Sequence, residues 1–145
     1  MKFWDQMRKD NGGFGGTIII IASIYGYEPD PWLVYYKTSK HGVMGFSKTL
    51  GHRFNYEKTR VRVFAVCPGY TDTDLLKAKL FEYHVQDFKK FLKCQIIQKV
   101  ETVGQAVVDM FKVTESGSAW VVKNEQPIKQ VEECRPYIIK NEQGI

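Results

Sequence analysis

Thr17–Ala22 reads TIIIIA, an unbroken β-branched run that fits a short strand covered on both faces. A second run, Arg60–Val66 (RVRVFAV), alternates and then turns apolar into Cys67-Pro68-Gly69, where the proline stops it. Between the two, from Tyr36 to about Asn55, Val43, Phe46, Leu50 and Phe54 recur at helical spacing. Leu75–Leu92 is amphipathic, with Leu76, Leu80, Val85, Phe88 and Leu92 near one face and lysines opposite. Thr102-x-x-Gln105 reads as a capping box that opens a helix to about Val113, and Ala119–Val122 (AWVV) as a third strand. Strand, helix, strand, helix, strand predicts right-handed crossovers and a parallel sheet, the α/β class. Phe3–Lys9 reads as the tail of a helix, and Asn11–Gly16 and Tyr25–Trp32 as loops rich in glycine or proline. Residues 124–145 are polar and weakly patterned, which predicts a folded unit over 1–123 followed by a tail.

Composition narrows the function classes. Hydrophobic residues make up 43% and charged residues 26%, ordinary values for one globular domain of 145 residues. The net charge is +5, but the lysines are spread along the chain and no nucleic-acid motif accompanies them, so nucleic acid is not an expected partner. The apolar run around Ile18–Ala22 is far too short to span a bilayer, and Met1–Asp10 has no apolar stretch of signal-peptide type. Cys67, Cys94 and Cys134 are odd in number and widely spaced, which suits reduced thiols in a cytoplasmic protein. His41, His52 and His84 lack ligand spacing, so no metal site is expected.

The chemistry concentrates in YYKTSKHG, residues 35–42. A Tyr-x-x-x-Lys match arises about once by chance in a chain this rich in both residues, so its surroundings decide its meaning. At i and i+4 on a helix, Tyr36 and Lys40 share one face. An ammonium beside a phenol favours the phenolate, and such a tyrosine can take a proton from an alcohol or return one to a carbonyl. Tyr35 cannot act this way, because position 39 is serine, and Lys37 lies on another face. Ser23, thirteen residues before Tyr36, follows the first strand and can donate a hydrogen bond to the reacting oxygen. Thr71 and Thr73 follow the second strand. All lie where open α/β sheets place ligands, beyond the carboxyl ends of the strands.

Ser23, Tyr36-x-x-x-Lys40 and a strand ending in Pro68-Gly69, in this order, resemble the short-chain dehydrogenase/reductase family. The likeness runs from about Asp5 to Val122. Within the family NGG-x-GG at 11–16, SKHG-x-x-GF at 39–46 and CPG-x-x-x-T at 67–73 look most like the hydroxyprostaglandin dehydrogenases, with insect-type alcohol dehydrogenases next. The resemblance implies the C-terminal part of a doubly wound, Rossmann-type sheet, and an NAD-dependent oxidoreductase, NADP not being excluded. It makes Tyr36 the acid/base and Lys40 its partner and a ligand of the nicotinamide ribose. Ser23 becomes the group that polarises the substrate oxygen. Pro68, Gly69, Tyr70, Thr71, Asp72 and Thr73 become the loop around the nicotinamide, with Thr71 or Thr73 as donors. Leu33 stands where a hydroxyprostaglandin dehydrogenase carries a substrate-contacting glutamine, which argues against prostaglandin itself. The implied substrate is a lipid-like or aliphatic secondary alcohol or ketone under the segment Leu75–Leu92, and the implied full-length form is a homo-oligomer, a dimer.

The departures carry expectations too. NGGFGG fails G-x-G-x-x-G, since Ile18 stands at the last glycine, and it precedes a strand. The family's Asn-Ala-Gly stretch, its catalytic asparagine and its nucleotide-binding βαβ units have no counterpart here. Three such units of roughly 30 residues would add about 90 residues ahead of Met1. Thr17–Ala22 is then an interior strand with an open edge, which predicts marginal stability or self-association. The alternative function is a non-catalytic module that pairs with another subunit through the helices Tyr36–Asn55 and Phe3–Lys9.

Overall fold

The computed structural model describes residues 1–77 and 85–131. Helix α1 (Lys2–Met7) leads through a short turn to β1 (Gly16–Ile21), and the long α2 (Val34–Leu50) and short α3 (Arg53–Thr59) follow. Strand β2 (Val61–Pro68) precedes α4 (Asp74–Lys77), α5 (Val85–Lys93) and α6 (Val100–Val113). Strands β3 (Ala119–Val122) and β4 (Lys129–Gln130) come last. The sheet runs β1-β2-β3-β4. Strand β2 is parallel to both neighbours, with Gly16 opposite Val61, Ile21 opposite Val66 and Ala119 opposite Ala65. The predicted α/β class is thus the observed one, a Rossmann-type arrangement of parallel strands between helices.

The alternation of side chains along β2 divides the core into two layers. Val61 and Val63 pack with Trp4, Met7 and Leu50, and Ala65 and Cys67 pack with Met44 of α2. Phe64 and Val66 point to the opposite face, against Ala106 and Met110 of α6. All six of these β2 side chains are fully enclosed, at 0% exposure. Each contributes about 1–3 kcal/mol relative to exposure, according to its size. No helix among the described residues is long and apolar enough to cross a membrane.

Several boundaries differ from the sequence reading. The helix expected to run from Tyr36 to Asn55 is broken at Gly51-His52. A Cβ on Gly51 would lie 2.6 Å from both Gly117 N and Val63 O, so the helix end must be glycine to seat against the sheet. His52 then caps α3 by accepting the Phe54 amide. The inward side of α2 is built on Met44, Ser47, Val43 and Leu50, while Phe46 and Phe54 are about half exposed. The capping box at Thr102 does not form. Helix α6 already begins at Val100, and Gln105 donates to Asp109 instead. Of the amphipathic segment Leu75–Leu92, α4 and α5 are seen, and Leu80 lies outside the described residues. Past Lys123 the chain adds β4, antiparallel to β3, and buries Val131 in the core. The rest of the expected tail, 132–145, lies outside the described residues.

Gly51→Ala is expected to lower unfolding free energy by about 1–3 kcal/mol in urea titrations, because its new methyl group meets rigid backbone. Gly45→Ala, inside α2 with nothing within 4 Å, is expected to raise it by roughly 0.5–1 kcal/mol. Burial pushes the enclosed Cys67 thiol up from 9.0 to about 11, outweighing the Ser23 amide and the lysines Lys48 and Lys40, which pull it down. The folded thiol therefore keeps a proton that the unfolded chain releases. Its contribution is intact below about pH 9 and is lost as pH rises toward 11. Urea midpoints are expected to fall across that window, with about 2 kcal/mol of the loss removed in Cys67→Ala.

Candidate active site

Beyond β1 the chain passes through Ala22 to Ser23, whose extended backbone begins the turn Ile24–Gly26. The Ser23 hydroxyl accepts the Tyr25 amide at 3.2 Å, so its own proton stays available to a third group. The turn lies directly against α2. A Cβ on Gly26 would come within 2.5 Å of Met44 Cγ and 3.0 Å of the Lys40 carbonyl. That close approach brings the serine to the helix face that carries Tyr36 and Lys40.

Tyr36 and Lys40 are both half-buried, one turn apart on α2. The Lys40 ammonium lies 5.6 Å from the centroid of the Tyr36 ring and donates to the Ile21 carbonyl at 3.1 Å. Burial lowers its pKa from the ordinary 10.5, with a smaller opposing effect from Cys67. One N–H thus ties α2 to the end of β1 and two remain. Leu33, just before the helix, holds left-handed backbone at φ 58° and ψ 48°. For a leucine this is strained by about 1–2 kcal/mol, and its neighbours must hold it there.

Across from α2, the loop after β2 is laced to the end of β3. The Gly69 amide donates to the Val122 carbonyl at 2.8 Å. Gln98, 1% exposed, gives its amide N–H to the Tyr70 carbonyl at 2.8 Å and accepts the Asp72 amide at 2.9 Å. Its side-chain nitrogen donates to Thr71 Oγ1 at 3.1 Å and to the Val122 carbonyl at 2.8 Å. Thr71 in turn donates to the Gly69 carbonyl at 3.0 Å, so its proton is committed within the loop. Thr73, also in this loop, lines the cavity.

These parts enclose a cavity of about 280 Å³. Ser23, Leu33, Tyr36, Lys40, Pro68, Gly69, Tyr70, Thr71 and Thr73 all line it, together with apolar Leu75, Leu76, Phe88 and Val103. Asp72 is exposed and is not brought to the lining. The sequence reading missed four further residues. Tyr25 lines the cavity, and its ring stands edge-on to Tyr36 with centroids 6.1 Å apart. Lys37 is buried, pairs with Asp30 at 2.6 Å and lies 4.5 Å over the Tyr25 ring. Removing one member of such a sheltered pair typically costs about 3–5 kcal/mol, so the pair fixes the Tyr25 side of the wall. Gln98 is the fourth. Its signal was weak: a polar side chain between Ile97 and Lys99 says nothing of the loop 27 residues earlier that it holds.

The sequence profile described as short chain dehydrogenase matches residues 2–84. Alcohol dehydrogenase 1 of Ceratitis capitata is 38% identical over 119 residues, which cover 79% of this chain and 46% of the relative. Fat body protein 2 of Drosophila melanogaster is 29% identical over 128 residues, covering 86% of this chain and 50% of the relative. The chain spans about half the length of these curated relatives. Among solved structures, 3-ketoacyl-(acyl-carrier-protein) reductase from Brucella melitensis, complexed with NADH, shares the fold at a TM-score of 0.61 and 21% identity, over 85% of this chain and 48% of its own. The chain belongs to the short-chain dehydrogenase family.

Proposed function

We propose that this chain carries the proton-transfer side of an alcohol/carbonyl oxidoreductase site that works with a nicotinamide cofactor. The observation that carries this reading is the single cavity on which Ser23, Tyr36, Lys40 and the Pro68–Thr73 loop converge. The donor set fits the nicotinamide end of such a cofactor: the Lys40 ammonium, which among the described residues gives one N–H to Ile21, the Thr73 hydroxyl, and an apolar wall that includes Pro68 and Ile21. Solved relatives in complex with NADH and NADPH support the cofactor class, not the choice between the two. When bound, the nicotinamide supplies the hydride acceptor or donor.

The chain's own residues account for the proton. Ser23 accepts from the Tyr25 amide and so turns its O–H toward the reacting oxygen. As phenolate, Tyr36 takes the proton of an alcohol at that oxygen; as phenol, it gives one to a carbonyl. Lys40 places positive charge beside the ring and would hold the ribose of a bound cofactor with its remaining N–H groups. Apolar Leu33, Leu75, Leu76, Phe88 and Val103 exclude water and favour an aliphatic or lipid-like secondary alcohol or ketone. A second reading, pairing with another subunit, draws on Phe46 and Phe54, which leave apolar surface on the outer side of α2 and α3. It is compatible with the first, and a dimer would use both.

Tyr36→Phe is expected to lower turnover of a secondary alcohol at least about 100-fold, followed as reduced-nicotinamide absorbance. Turnover equal to the parent chain would refute the assignment. Burial holds the pKa of Lys40 below the ordinary 10.5, so the ammonium is charged at low pH and deprotonates before that value is reached. Cofactor affinity is therefore expected to weaken as pH rises toward that value. Lys40→Met should bind weakly at every pH, with a flat profile by isothermal titration.

A further inference from the structure

Tyr25 and Tyr70 come from the loops after β1 and β2, 45 residues apart, and their hydroxyls hydrogen-bond each other. Both line the cavity. Their rings stand edge-on with centroids 6.0 Å apart, and Tyr25 is also the ring next to Tyr36. Tyr70 leans on Phe91 at 6.3 Å, and Lys37 covers the Tyr25 ring, so neither phenol is free to swing out. Asp30, the nearby carboxylate, is taken up by Lys37 and by the Trp32 amide at 2.8 Å. Burial raises the pKa of both phenols, which therefore stay protonated through the neutral range.

A phenol has one proton and two lone pairs. In a bonded pair one proton is shared, which leaves one O–H and unused lone pairs. The Asp30 carboxylate also acts on the Tyr25 hydroxyl as a minor acceptor, its main ties being to Lys37 and the Trp32 amide. A hydrocarbon chain laid against this pair would leave those groups unsatisfied, whereas an oxygen would satisfy them.

We propose that Tyr25 and Tyr70 form a second polar subsite that binds a substrate oxygen other than the reacting one. The substrate class is then an alcohol or ketone with a further hydroxyl or carbonyl a few carbons away, not a plain aliphatic alcohol. This rests on the reading of the cavity as a substrate site, but it is read by binding alone and so can fail separately from the assignment of Tyr36.

The test compares hexanone with hexanedione, a matched pair that differs by one carbonyl, in NMR titrations of the full chain. The parent chain is expected to bind the diketone about five- to tenfold more tightly, the worth of one neutral hydrogen bond. Tyr70→Phe, which keeps the ring on Phe91, should erase that preference, and Tyr25→Phe should do the same if the first variant fails to fold. Equal affinities in the parent chain, no binding of either ketone, or a preference kept in a folded phenylalanine variant would overturn the subsite. Ser23→Ala should weaken both ketones alike and leave their ratio unchanged.

Discussion

The parallel pairing of β2 with β1 on one side and β3 on the other is the constraint from which the site follows. Strand β2 is enclosed on both faces, and its register sets the chain exits at Ile21 and Pro68 side by side at one end of the sheet. Two loops leave from those exits, one carrying Ser23 and Tyr25, the other Tyr70, Thr71 and Thr73. Helix α2 lies across the same end and delivers Tyr36 and Lys40 to the gap between them. A slip of one residue between β1 and β2 would turn Ile18, Ile19 and Ile20 to the wrong faces and move Ser23 out of line.

Hydrogen-bond accounting separates the groups that shape the cavity from those that can act in it. Gln98 and Thr71 have committed their donors to carbonyls and to each other, so they hold the loop. Ser23 keeps its proton because a backbone amide occupies its lone pair, and Lys40 gives one N–H to Ile21 and retains two. Gln98 Oε1 is buried without a partner among the described residues, so its amide is held by the donor side alone.

What the sequence made legible was local. TIIIIA and RVRVFAV announced buried strands through composition and period, and the i, i+4 spacing of Tyr36 and Lys40 placed them together on a helix. The break at Gly51 was hidden because it is imposed by Gly117 and Val63, distant in sequence. The face of α2 was misread because Phe46 and Phe54, apolar at helical spacing, point outward while Ser47 is fully buried. Strand β4 is only two residues long and polar, below any periodic signal. In the site, the spacing of Ser23, Tyr36 and Lys40 could be read directly. The Tyr25–Tyr70 contact and the Asp30–Lys37 pair needed the loops to be folded first.

Strand β1 ends the sheet, and nothing among the described residues pairs with its outer edge. Its last residue, Ile21, is 53% exposed, and that residue's carbonyl is the anchor for the Lys40 ammonium. The lysine is therefore tethered to the end of an edge strand, at a peptide whose own N–H donates to the Val66 carbonyl. A shift of this edge would carry the Lys40 ammonium with it, since one N–H of the amine is bound there.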